Sequence, residues 1–168
     1  MSRLPKNITE KQLYCILDNL YYARSDGRSV SRFDQLRIIQ NGMNALKHIV
    51  IDDHILLEYT VHHVLNALIE KELQQQRYVL NIPHRPFLEL KTRQQALAGI
   101  QQDALTQSNQ LIGWSLLYHI YFRREFNITL SLFAELIHVE NRTLRRYKSH
   151  AVSLLLRSLL AAELQLSH

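Results

Sequence analysis

Between Thr129 and Tyr147 the chain reads TLSLFAELIHVENRTLRRY, and its apolar residues fall into helical register twice with a short interruption between. Leu130, Phe133 and Ile137 are spaced i, i+3, i+7, and Leu144, Tyr147, Ala151 and Leu155 resume the pattern beyond the break. Such spacing gathers each set on one face of a helix. Two helices joined this tightly can pack only at a steep angle, and the joint then needs particular residues. Ala134 supplies a small side chain where the second helix crosses the first, and Val139 supplies an apolar plug in the turn. Thr129 is a plausible cap for the first helix, and Glu140 or Asn141 for the second.

The rest of the chain also carries helical spacing with few breakers. Only four Gly and three Pro occur in 168 residues, which leaves little turn chemistry and favours an all-α protein of about seven helices. Thr9 and Gln12 form a capping box for a helix over about 10–23, with Leu13, Ile16, Leu17 and Leu20 on one side. Cys15 lies in that stretch and is expected to be a buried thiol; as the single cysteine it excludes an internal disulfide. Ser31 is expected to cap a second helix carrying Phe33, Leu36, Ile39, Met43 and Leu46, in which Gly42 allows a close crossing. Asp52 and Asp53 suit the start of a third helix, roughly 54–75. Pro83 and Pro86 make 77–87 an extended connector, so the domains are expected to be an accessory lobe, 1–80, and a second lobe, 88–168. A helix over about 89–105 follows, then one opened by Ser108 or Asn109 whose Trp114, Leu117, Tyr118 and Tyr121 predict deep burial.

Charge is unevenly distributed. Residues 1–84 carry 10 Lys+Arg against 9 Asp+Glu, and residues 85–168 carry 10 against 6. The basic excess therefore accompanies the paired-helix segment, which favours an acidic partner such as nucleic acid. On the second helix of the pair, Arg142, Arg145, Arg146, Ser149 and Ser153 fall within an arc of roughly 100°, opposite Leu144 and Tyr147. Arginine here suits both guanine edges and phosphates in a major groove. Lys148 lies off that stripe, where backbone phosphate is its natural partner. Arg123 and Arg124, at the end of the preceding helix, are equally suited to phosphate contact and to a helix C-terminus.

LSLFAEL, the His138–Val139 turn and NRTLRRY resemble the helix-turn-helix of bacterial regulators, the type found in sigma factor region four and in response regulators, over residues of about 108–160. The resemblance implies a C-terminal trihelical unit with a long last helix, binding double-stranded DNA in transcriptional regulation. Its DNA-binding residues would be Asn141, Arg142, Arg145, Arg146, Lys148 and Ser149, with Arg123 and Arg124. Families of this type place glycine in the turn, where this chain has His138, a residue that tolerates a left-handed backbone better than β-branched ones do.

Past Ser153, Leu154, Leu155, Leu156, Leu159 and Leu160 surround the helix on nearly all sides and must be buried. They are expected to pack on the N-terminal lobe or to form a homodimer through Leu156, Leu159 and Leu160. The rival reading of the whole chain is a helical protein-interaction adaptor that uses the helix-turn-helix as a scaffold, with the near-neutral N-terminal lobe holding a protein partner. His54, Glu58 and His62 share a helix side but lack the further ligands of a metal site, so no metal is expected. There is no glycine-rich phosphate loop and no nucleophile beside a base, so neither a cofactor nor enzymatic activity is expected. The first residues lack a signal-peptide core, and no run approaches the roughly 20 apolar residues of a membrane span, which together predict a cytoplasmic protein.

Overall fold

The computed structural model describes residues 8–25, 27–49, 52–82 and 90–166. Among them the fold is all-α, with eight α-helices and no strand. In chain order these are α1 (Glu10–Tyr21), α2 (Gly27–Val30), α3 (Arg37–Leu46), α4 (Asp53–Val79), α5 (Arg93–Leu105), α6 (Asn109–Leu116), α7 (Leu130–Ile137) and α8 (Asn141–Leu166). A 3₁₀ turn over Ser31–Gln35 separates α2 from α3, and a π-helical turn over Leu117–Phe122 continues α6.

The residues group into two compact units, 1–68 with 152–168, and 69–151. This division differs from the chain-order lobes expected at the 77–87 connector. It falls inside α4 and inside α8, so each of these long helices contributes to both units. Helix α4 continues to Val79, past the expected start of the connector; Pro83 and Pro86 lie outside the described residues.

In the first unit, α1 is capped as its sequence predicts, the Thr9 N–H donating to Gln12 Oε1 at 2.7 Å. Leu13, Ile16 and Leu17 are fully buried, whereas Cys15 is exposed, contrary to expectation. On a helix Cys15 sits about 160° from Leu17 and 160° from Leu13, on the face opposite the core stripe. Ser31 does not cap α3; its hydroxyl donates to the Arg28 carbonyl. The cap of α3 comes from far along the chain, where the buried Glu163 carboxylate accepts from the Arg37 N–H at 2.9 Å and the Ile38 N–H at 3.0 Å. That arrangement satisfies two of the orphan donors at the helix start. Gly42 does allow a close crossing: a Cβ there would lie 2.7 Å from Thr60 Cγ2 on α4. Asp52 Oδ1 accepts from the His54 and Ile55 N–H groups and so opens α4. Glu58, considered with His54 and His62 above, accepts from the Ser25 hydroxyl.

The end of α8 belongs to this unit. Leu155 and Leu159 are fully buried within the chain, and Ser153 donates to the Glu10 carboxylate at 2.6 Å. Of the residues expected at a homodimer contact, Leu159 is buried in the chain's own core, and Leu156 and Leu160 are half-buried.

The second unit is built on α6. Every residue from Leu111 to Tyr121 is buried, with Trp114, Tyr118 and Tyr121 the largest side chains. Around it, α5 is capped by Thr92, whose hydroxyl accepts from the Gln95 N–H, and Ser108 caps α6 in the same way through Leu111. Arg77, on the last turns of α4, holds buried Asp103 of α5 through two hydrogen bonds of 2.9 and 2.7 Å. His119 is buried in the π-helical turn with Nδ1 2.8 Å from the Ser115 carbonyl. A carbonyl oxygen only accepts, so the neutral ring carries its proton on Nδ1.

Candidate nucleic-acid interface

Helix α7 is short because both its ends are specified. Thr129 Oγ1 accepts from the Leu132 N–H at 3.1 Å at the start. At the end His138 takes φ 56° and ψ 47°, the left-handed conformation. The His138 N–H then reaches the Glu135 carbonyl at 3.2 Å and the Val139 N–H reaches the Ala134 carbonyl at 3.1 Å. These two bonds form a Schellman motif, and they satisfy carbonyls that would otherwise be orphaned. Phe133 and Ala134 are buried, and Leu130, Ile137 and Val139 half-buried.

Helix α8 begins at once, the Leu144 N–H donating to the Glu140 carbonyl at 3.1 Å. Leu144 and Ala151 are buried on its inner side. Gly113 of α6 fits against that side so closely that a Cβ would lie 2.9 Å from the Ala151 Cβ and 3.2 Å from the Tyr147 carbonyl. The opposite side is open: Asn141, Arg142, Arg145, Arg146 and Ser149 are all exposed. Ser153, the last member of the stripe expected from the sequence, is instead occupied by Glu10.

The expected contact residues separate by position. Asn141, Arg145 and Lys148 share a shallow groove with Leu130, Ser131 and Leu144, so α7 and α8 together line it. Lys148 is half-buried, its ammonium 5.2 Å from the centroid of the Tyr121 ring. Arg142 and Arg146 line no part of this groove. Arg123 is engaged elsewhere. Its guanidinium donates to the Tyr118 hydroxyl, the Leu90 carbonyl and the Glu125 carboxylate, and lies 4.7 Å from the Phe126 ring centroid. Burial pushes the Tyr118 phenol above its ordinary value, and the bond from Arg123 offsets part of that. Arg123 is therefore a clasp inside the unit, and its phosphate role is withdrawn. Arg124 is exposed in the 3₁₀ turn Arg124–Phe126.

Two acidic residues flank the arginines, and the sequence pattern marks only one of them, Glu140, as a cap for the second helix. Glu135 and Glu140 are exposed and line an open concavity with Ser131, Ala134, His138 and Asn141. Among the described residues, the side chains of Glu135, Glu140, Arg142, Arg145 and Arg146 make no hydrogen bond or ion pair. The contrast inside this unit is direct: Arg77 is paired with Asp103, Arg93 donates to the Phe126 carbonyl, and Arg123 has three partners. No helix among the described residues is long and apolar enough to cross a membrane. No protein-family model, no characterised protein and no solved structure matches this chain.

Proposed function

We propose that α7, the His138 turn and the first half of α8 form a helix-turn-helix that binds duplex DNA as a transcriptional regulator in a cytoplasm. The observation that carries this reading is the set of three exposed, unpaired guanidinium groups at the start of α8. A merely solvated helix face is usually laced with acids three or four residues away. None occupies the first turn of α8, which begins Asn141, Arg142, Thr143. Phosphates and guanine edges are the partners such a row lacks. Arg145 and Lys148 in their groove suit a backbone phosphate, and Arg142, nearest the helix start, suits a base edge.

Affinity for genomic duplex fragments across a salt series tests the proposal. Counterion release predicts a linear fall of log affinity with log salt concentration, at about 0.9 for each phosphate neutralised. Arg142→Ala with Arg145→Ala should weaken binding by roughly 1–3 kcal/mol for each arginine that reads a base, and Lys148→Met should reduce the salt slope by about 1. Absence of binding to every fragment at low salt would sink the reading and leave the adaptor in its place.

A further inference from the structure

We infer that Glu140 and Arg142 together select a guanine–cytosine pair, Arg142 donating to guanine and Glu140 accepting from cytosine; this rests on the duplex-DNA reading above. The face is electrically divided at Asn141. On one side, Arg145 and Lys148 share a groove with Ser131. On the other, the concavity beside the His138 turn is lined by Glu135 and Glu140. Neither carboxylate is neutralised by an ion pair among the described residues. A phosphate is favoured on the first side and repelled on the second, so the duplex backbone has one place to cross.

With the backbone over Arg145 and Lys148, the residues at the α8 start face base edges, as the first residues of a recognition helix do. Glu140 immediately precedes α8 and Arg142 is its second residue. A carboxylate taken out of water must find a donor, or its desolvation is uncompensated. At base edges in the major groove the donors are the amino groups of cytosine and adenine, and all other groups there are acceptors or a methyl. Guanine offers a guanidinium two acceptors, O6 and N7, whereas adenine offers only N7. A guanine–cytosine pair therefore satisfies both side chains, whereas an adenine–thymine pair leaves Arg142 on adenine with one acceptor and sets Glu140 against thymine O4, which has no hydrogen to donate. Glu140 also acts by repulsion, since a site without a correctly placed amino group sets its charge against acceptors.

The test is to select duplexes from a randomised pool, then measure Kd for the preferred duplex and each single base-pair change at one fixed salt concentration. Wild type, Glu140→Gln and Glu135→Gln are compared; both positions are exposed, and neither side chain holds the fold together. Wild type should favour guanine–cytosine at the contacted position by about tenfold. Glu140→Gln should bind all duplexes more tightly and lose most of that preference. Glu135→Gln should tighten binding and leave the preference unchanged, which separates base reading from bulk charge. If Glu140→Gln keeps the wild-type preference, or the selected position is adenine–thymine, the inference is overturned while duplex binding stands. If wild type binds no duplex at all, the DNA reading and this inference fall together.

Discussion

Replacing Gly113 with alanine tests how α8 is held in the second unit. The added Cβ would lie 2.9 Å from the Ala151 Cβ and 3.2 Å from the Tyr147 carbonyl oxygen. Carbon atoms settle at about 3.5–4.0 Å, so one helix must move. Neither has slack, because Ala151 is fully buried and every residue from Leu111 to Tyr121 is buried too. Forcing a methyl group into a packed core costs about 1–3 kcal/mol, and alanine's better helix propensity returns about 1 kcal/mol. The net expectation is a loss of about 0–2 kcal/mol, a fall in Tm of up to roughly 8 °C for a chain of this length. Urea unfolding followed by far-UV circular dichroism measures it. Gly27→Ala is the control, since nothing lies within 4 Å of the Cβ it would add; it should be neutral or slightly stabilising. Combining Gly113→Ala with Ala151→Gly removes the closest contact, so the double-mutant cycle should show a coupling of about 1 kcal/mol. A stabilising Gly113→Ala, or two singles that simply add, would refute the close crossing.

Two further changes probe the turn and the buried histidine. At φ 56° His138 occupies backbone space that glycine enters without steric cost, so His138→Gly should raise the urea midpoint by an amount equivalent to about 1 kcal/mol with no change in m-value, and His138→Val should lower it by more. Burial pulls the His119 pKa from 6.5 down to about 4, so between those values the unfolded chain binds a proton that the folded chain does not. Stability should be fully present above pH 6.5 and fall as pH drops toward 4, by an amount on the order of 3 kcal/mol, and His119→Leu should flatten that part of the stability–pH curve.

The all-α class and most helix starts were legible because they rest on local chemistry. Thr9 with Gln12, Asp52, Ser108 and Thr129 all act at the helix ends where the sequence puts them. Thr92 with Gln95 is the same signal, and it starts α5 a few residues later than its apolar residues alone suggest. The failures share a long range. Helix α3 is capped by Glu163, a partner no local window contains. The end of α8 is buried with residues 1–68, which no linear division of the chain would group together. Cys15 is different: the spacing of Leu13, Ile16 and Leu17 already turns it outward, and its apolar character obscured that geometry. On the outer face of α8, the exposed arginines follow from helical phase. The withdrawal of Arg123 and the grouping of Arg145 with Lys148 depended on α6 and α7, elements the phase of α8 does not encode.

The arginine row also makes a statement about stability that needs no DNA. Arg142 lies in the first turn of a 26-residue helix, at the positive end of its macrodipole, where anions are favoured and cations cost about 0.3–1 kcal/mol. Arg142 and Arg146 stand four apart, and like charges at that spacing cost a further 0.2–0.5 kcal/mol or so. Both are exposed and neither is paired among the described residues, so nothing in the fold offsets these terms. Arg142→Gln with Arg146→Gln should therefore stabilise the protein by about 0.5–1.5 kcal/mol at low salt, and the gain should fade as salt screens the charges. The same double change should weaken duplex binding. Stability and binding moving in opposite directions is the pattern expected of residues retained for function. Denaturation midpoints at two salt concentrations decide the matter: a double variant less stable than wild type would mean that these arginines serve the fold, as Arg123 does, and would remove the main support for the DNA reading.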